Sequence, residues 1–128
     1  MSQDVKKFDL AERTAKFGEE IIKFCRKISR GPVTDPLVNQ LVKCGTSVGA
    51  NYSEADDAES KLDFKHKIGI CKKESKETRH WLRMIAIAMP NLADEARIYW
   101  KESNELNLIF TTIVKNSRLN GKSIHSNI

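Results

Sequence analysis

Apolar or small uncharged residues recur at alternating gaps of four and three in four stretches of the chain. In the first stretch these positions are Leu10, Thr14, Phe17, Ile21, Phe24 and Ile28. In the third they are Phe64, Ile68, Cys71, Ser75, Thr78, Leu82, Ile85 and Met89. This spacing puts one apolar face along an α-helix, and no stretch alternates as a strand does. The pattern predicts an all-α fold, an antiparallel up-down-up-down four-helix bundle.

Turn and capping residues separate the four stretches. Arg30-Gly31-Pro32 is predicted to end the first helix, with the glycine as a left-handed cap, and Asp35-Pro36 to start the second. An acidic hinge, Glu54 to Ser60, joins the second and third helices, and Ser60 is predicted to cap the third. The predicted segments are a frayed N-terminus at 1–7, a bundle at 8–116 with helices at about 8–30, 36–57, 61–89 and 92–116, and a disordered tail at 117–128.

The composition fits one domain with a buried core. The chain has 128 residues, of which 40% are hydrophobic and 30% charged. No run approaches the roughly 18 apolar residues that span a bilayer, and the start has no apolar stretch of signal-peptide length. We therefore expect a cytoplasmic protein without a membrane partner. Cys25, Cys44 and Cys71 are widely spaced on apolar helix faces, which favours buried reduced thiols over a disulfide framework or a metal site.

Helix two contains an unusual pair of glycines, Gly45 and Gly49. A glycine inside a helix is less favourable than alanine by about 0.5 to 1 kcal/mol. Two of them one turn apart indicate that a neighbouring helix, from this subunit or another, approaches the backbone closely. The alternative is weak helix propensity that tertiary packing tolerates.

Helix three carries a second stripe beside its apolar face. Its positions are Ile70, Glu74, Glu77, Trp81, Met84 and Ala88. The stripe either widens the buried wedge of the helix or docks another subunit, where tryptophan is a frequent anchor. The predicted oligomer interface consists of Gly45, Gly49, Glu74, Glu77 and Trp81.

Polar residues interrupt the apolar faces near the hinge. Aligning the antiparallel turns puts Arg13 level with Asn51 and Glu54 of helix two, and His66 and Lys67 of helix three opposite them. Polar groups in a core are tolerated only when paired, so we expect a semi-buried structural cluster of Arg13, Asn51, Glu54 and Lys67. An active site is the alternative, but no nucleophile and base are evidently brought together.

Catalytic and metal motifs are missing from the sequence. A di-iron bundle takes a Glu from each of two helices and a Glu-x-x-His pair from each of two others. Glu77-x-x-His80 and the shorter Asp63-x-x-His66 both lie on helix three, so the ligand sets cannot converge within one subunit. No Gly-rich phosphate loop, GxSxG or HExxH occurs. We expect no enzyme activity, no metal, no cofactor and no small-molecule substrate.

Positive charge is concentrated on helix three. The formal net charge is +5, with a pI near 9.2. Five cations share one helical face, which we call the basic ridge: Lys65, Lys72, Lys76, Arg79 and Arg83. Acidic residues collect elsewhere, so the ridge is a candidate phosphate-binding surface, the alternative being an ordinary solvated face. Aromatic residues are scarce, so we expect contacts to the nucleic-acid backbone without sequence readout.

Several ordered segments resemble a known family. They are Phe8 to Thr14 (FDLAERT), Gln40-Leu41, Ser47 to Ala55 (SVGANYSEA), Ser60 to Phe64 (SKLDF) and Lys73 to Leu82 (KESKETRHWL). The chain resembles the four-helix-bundle family named for proteins encoded in intervening sequences of bacterial large-subunit ribosomal RNA genes. The resemblance implies a homopentameric ring or barrel, similar to the accessory protein of diversity-generating retroelements, and a role associated with nucleic acid.

Two functional hypotheses follow. The first is a non-enzymatic, oligomeric accessory protein that binds RNA or DNA. The second is a structural or protein-interaction bundle whose basic ridge meets an acidic partner protein.

Overall fold

The computed structural model describes the backbone of residues 9–126 and the side chains of residues 9–117. The helices are α1 (Leu10–Cys25), α2 (Thr34–Asp56), α3 (Lys61–Ala88) and α4 (Ala93–Ser126), with a short 3-10 helix at Pro90–Leu92 between the last two. No strand occurs within residues 9–126. The predicted all-α, antiparallel four-helix fold is confirmed. No helix in this part of the chain combines the length and the apolar character that crossing a membrane requires.

The helices pack in chain order, α1 on α2, α2 on α3 and α3 on α4, while α1 and α4 touch through fewer residues. The predicted apolar faces form the core, because the repeat of three and four keeps them on one side of each helix. The largest fully buried aromatic side chains are Phe24 of α1 and Phe110 of α4. Ile21, Leu41, Ile68, Leu82, Ile85 and Leu106 fill the space between them.

The glycine pair of α2 lies where α1 crosses it. A Cβ on Gly45 would come within 2.8 Å of Cγ2 of Ile21, and a Cβ on Gly49 within 3.0 Å of the Thr14 carbonyl oxygen. The predicted close approach is therefore made by α1 of the same chain. Because this face of α2 is already covered, the assignment of Gly45 and Gly49 to an oligomer interface is wrong.

The first connection differs from the prediction. Helix α1 ends at Cys25 rather than near residue 30, because Lys27 and Ile28 donate to the carbonyls of Phe24 and Cys25 in tighter, three-residue turns. Gly31 has no positive φ, so it is not the predicted left-handed cap. Its N–H instead donates to the side chain of Asp35, which lies inside α2 rather than before it.

The other helix ends follow the sequence more closely. Ser60 caps α3 as predicted, since its hydroxyl accepts the Asp63 N–H at 3.0 Å. Helix α4 continues to Ser126, which corrects the predicted disorder for residues 117–126. The segment contains no proline, and extending a formed helix is far easier than starting one. The predicted frayed N-terminus at 1–7 and the end of the tail at 127–128 lie outside the described residues.

Candidate nucleic-acid interface

The basic ridge lies on the side of α3 that faces α4. Lys76 and Arg83 are exposed, and Lys65, Lys72 and Arg79 are half-buried against the neighbouring helix. Arg79 donates to the side-chain amide of Asn104, and its guanidinium carbon is 5.9 Å from the centroid of the Trp100 ring. The five cations thus share one surface, and none of them takes part in an ion pair among the described residues.

Helix α4 extends this surface with cations that the sequence analysis missed. Arg83 lines the same surface hollow as Arg97 and Lys101 of α4. Both α4 residues are exposed, and neither forms an ion pair within the described part of the chain. We call the seven residues the basic strip: Lys65, Lys72, Lys76, Arg79, Arg83, Arg97 and Lys101. The spacing of four between Arg97 and Lys101 would have indicated a second basic row on one helical face.

Three of the four acidic residues of α4, Glu95, Glu102 and Glu105, point the other way, toward α1 and the segment that follows it. Arg13 binds both carboxylate oxygens of Glu102 at 2.8 Å and reaches Glu105 at 3.0 Å. Lys27 lies 2.9 Å from Glu95. Because Arg13 of α1 and Lys27 just after its end supply the counter-charges, these three carboxylates are paired on the opposite side of α4 from the strip. The two sides of α4 therefore carry opposite charge.

Buried hydrogen bonds fix α3 against α4 beneath the strip. The Ser103 hydroxyl donates to the Ser75 carbonyl at 2.6 Å. The Asn107 amide donates to the Lys72 carbonyl at 2.8 Å and to the Ser75 hydroxyl at 3.2 Å. Within the described residues, no buried side-chain nitrogen or oxygen lacks a partner. These bonds set the register that brings the cations of the two helices together.

The predicted polar cluster forms only in part. Lys67 does pair with Glu54 at 3.0 Å, but the Glu54 side chain is 60% exposed rather than semi-buried. Asn51 donates to Ser47 of its own helix. Arg13 lies at the predicted level but faces α4, which corrects its assignment to this cluster. The pair is an exposed one, so losing Glu54 is expected to change stability by less than about 1 kcal/mol.

The second stripe of α3 lies along its border with α2. Glu74, Glu77 and Trp81 are half-buried within the single chain. Partial burial, together with the neighbouring Glu77, raises the pKa of the Glu74 carboxyl. Burial also raises the pKa of the Cys44 thiol to about 11, and the charges of Glu74 and Glu77 add to that effect. Cys25, Cys44 and Cys71 are all free and buried.

Residues 9–117 contain no cluster of three or more histidine, cysteine or carboxylate side chains arranged to hold a metal ion. His66 and His80 are both exposed on α3. The basic strip itself consists of cations on a helical surface, with the ring of Trp100 beside Arg79.

The chain is similar to known helical proteins. The model of the family described as 23S rRNA-intervening sequence protein matches residues 6–107. A crystal structure of a protein with unknown function, from the S23 ribosomal protein family of Bacteroides thetaiotaomicron VPI-5482, shares 27% sequence identity with a TM-score of 0.72. That similarity covers 82% of this chain and 97% of the other. No curated protein matches the chain. The family match includes the first part of α4, which the sequence motifs did not reach.

Proposed function

Because the chain belongs to the 23S rRNA-intervening sequence protein family, we propose that it is a non-enzymatic, oligomeric protein that binds the backbone of RNA or DNA. It acts in the cytoplasm and takes no small-molecule substrate. The observation that carries the proposal is the basic strip, whose cations are without carboxylate partners in the described residues, while three of the four acids of α4 are paired with Arg13 and Lys27. Unpaired cations on one face are the electrostatic footprint of phosphate binding.

The geometry of the strip favours an extended anion over a compact one. From Lys65 to Arg83 the strip runs for about 27 Å along α3, at 1.5 Å per residue. Phosphates spaced along a nucleic-acid strand match a row of cations of this length. Because side chains of lysine and arginine contact phosphates regardless of base, this term carries no sequence information.

Self-association would multiply the strip. The half-buried stripe with Glu74, Glu77 and Trp81 is the surface we propose for the contact between subunits, with a pentamer as the expected assembly. Several strips on one particle convert weak phosphate contacts into avid binding, provided that the strips face a common surface.

Charge reversal within the strip tests the proposal. We expect Lys72→Glu with Lys76→Glu to weaken binding of RNA and of double-stranded DNA, measured by filter binding at several salt concentrations. Each lost phosphate contact lowers the slope of log affinity against log salt by about 0.7 to 0.9, so the pair removes about 1.4 to 1.8. Lys16→Glu with Arg26→Glu, in α1 and directly after it, is the matched control, since both residues are exposed, neither forms an ion pair among the described residues, and the net charge changes equally.

Two outcomes decide between the hypotheses. Loss of binding in the strip variant alone, with its circular dichroism and mass unchanged, supports the proposal. If the folded strip variant binds as tightly as the wild type, the strip is a solvated face or a site for an acidic protein.

A further inference from the structure

The hollow at the end of the basic strip differs from the rest of it. It has a volume of about 340 Å³ and lies between the end of α3 and the start of α4. Its apolar lining comes from Leu82 together with three alanines, Ala86, Ala93 and Ala96. Small side chains on both helices leave the space open. A row of lysines and arginines needs no such recess to bind phosphates.

Trp100 forms a wall of the hollow. It remains 37% exposed although tryptophan is the largest apolar side chain, so the fold leaves part of its ring facing solvent. Arg79 is held by Asn104 and lies 5.9 Å from the ring centroid, a cation–π distance that restrains the indole. The ring is therefore positioned before any ligand arrives.

The rim of the hollow is cationic. Arg83, Arg97 and Lys101 line it, and no carboxylate does. An apolar floor, a planar aromatic wall and a cationic rim together fit a flat ring that is joined to phosphates. Aromatic side chains in basic grooves bind single strands in this way, because every base has a face for stacking. In a duplex the bases are already stacked and cannot enter.

We propose that the hollow takes an unpaired base of single-stranded RNA or DNA, which stacks on Trp100 while Arg83, Arg97 and Lys101 bind the flanking phosphates. This inference rests on the proposed function and deepens it, since it names single strands as the preferred ligand. A duplex contacts only the cations of the strip. The protein therefore binds an unpaired strand more tightly than a duplex of equal length.

Intrinsic fluorescence separates this site from the rest of the protein, because the chain has two tryptophans. In the Trp81→Phe variant Trp100 is the only indole, and titration with oligouridylate or oligothymidylate is expected to quench its emission. In Trp100→Phe the remaining Trp81 is half-buried on the border with α2, and its emission should stay unchanged. A duplex of the same length should leave both unchanged.

Affinity provides the second measurement. Trp100→Ala is expected to weaken binding of single strands about 5- to 150-fold and to leave duplex binding and the salt slope unaltered. Trp100→Phe keeps a smaller ring and should lose less. If Trp100→Ala does not fold, the affinity of Trp100→Phe for single strands and for duplexes tests the inference in its place.

The results distinguish this inference from the proposed function. If Trp100→Ala binds single strands as tightly as the wild type while the Lys72→Glu, Lys76→Glu variant does not, stacking is wrong and phosphate binding stands. If the wild type binds neither nucleic acid, both are wrong. If acrylamide fails to quench Trp100 in the free oligomer of the Trp81→Phe variant but quenches it on dilution to monomers, a second copy fills the hollow, which also overturns the inference.

Discussion

At the scale of single residues, two glycines show separately how close packing and helix propensity affect the stability of the protein. A Cβ on Gly49 would come within 3.0 to 3.3 Å of backbone atoms of α1, whereas a Cβ on Gly69 of α3 would meet nothing within 4 Å. Gly49→Ala should therefore destabilise the protein by about 1 to 3 kcal/mol, since the two helices must move apart. Gly69→Ala should stabilise it by about 0.5 to 1 kcal/mol through helix propensity. Urea unfolding of both variants measures the difference, and equal shifts would contradict this account.

Buried thiols predict a dependence of stability on alkaline pH. Burial raises the pKa of Cys25 and Cys71 to about 12 from the ordinary value of 9.0. Above pH 9 the unfolded chain loses these protons while the folded chain keeps them, so the free energy of unfolding falls as pH rises toward 12. Each thiol contributes up to about 1.4 kcal/mol per pH unit in this window.

The cysteine variants give the measurement. We expect Cys71→Ala to lower stability at pH 8 but to flatten the decline between pH 9 and 11, as followed by urea unfolding. In the native protein at pH 8 the thiols should resist iodoacetamide, and unfolding should expose all of them. Rapid alkylation of the folded protein would show that the cysteines are not buried.

The sequence pattern predicts which residues are buried. It does not predict which neighbouring side chain each polar residue contacts. Periodicity alone marks the inner face of each helix, and every predicted position of the first stretch, from Leu10 to Ile28, is buried. The partner of Arg13 depends on which helices lie next to α1 around the long axis of the bundle. Aligning the turns of neighbouring helices predicts only the height of a residue along that axis. Periodicity does not single out Trp100 either, because it marks the apolar face of α4 and Trp100 lies on the basic side with Arg97 and Lys101.

At the scale of elements, the contact between α3 and α4 determines the candidate site. Asn107 is 8% exposed and points its amide at the Lys72 carbonyl. Asn107→Asp would place a carboxylate against that acceptor, and we expect a loss on the order of 3 kcal/mol at neutral pH. The loss should shrink as pH falls and the carboxyl is protonated. Thermal unfolding at pH 4.5 and 7.5 measures this.

Asn104→Asp is the matched control on the same helix. Asn104 is half-buried and accepts from Arg79, so a carboxylate there gains an ion pair and should alter stability by less than about 1 kcal/mol. Equal destabilisation by both variants would mean that the hydrogen bonds of Asn107 do not fix the register of the two helices.

Helix ends were less predictable than helix faces, for local reasons. The prediction that the first helix ends at Arg30-Gly31-Pro32 rests on the premise that a helix continues until glycine or proline ends it. In the structure, tighter turns begin after Cys25, and Ile28 is still buried. At the other end, polar composition was taken as disorder, although the segment contains no proline. Ser60 was predicted correctly because its capping role depends on its immediate neighbours alone.

At the scale of the whole molecule, charge is divided between two sides. Arg13 and Lys27 pair with three of the acids of α4, and on the other side the seven cations of the basic strip have no carboxylate partner among the described residues. A net charge of +5 on 128 residues is modest, so the distribution matters more than the sum. The composition predicts that the net charge is positive. Which side of the molecule carries the unpaired positive charge follows only from the packing of α4 between α1 and α3.

Assembly should make binding depend on the length of the nucleic acid. If several strips share one particle, a long single strand engages more than one of them, and its affinity should exceed that of an oligonucleotide spanning one strip by about 10² to 10⁴. Trp81→Ala should dissociate the oligomer, bring this ratio close to one and leave the affinity for the short strand unchanged. Light scattering gives the mass as a multiple of 14.6 kDa, and fluorescence anisotropy gives both affinities.

Ile98→Ala, which removes an exposed apolar side chain of α4, is the control and should keep both the mass of the oligomer and the ratio of the two affinities. A wild type that is monomeric at tens of micromolar, or a monomeric Trp81→Ala that keeps the ratio, would show that avidity plays no part.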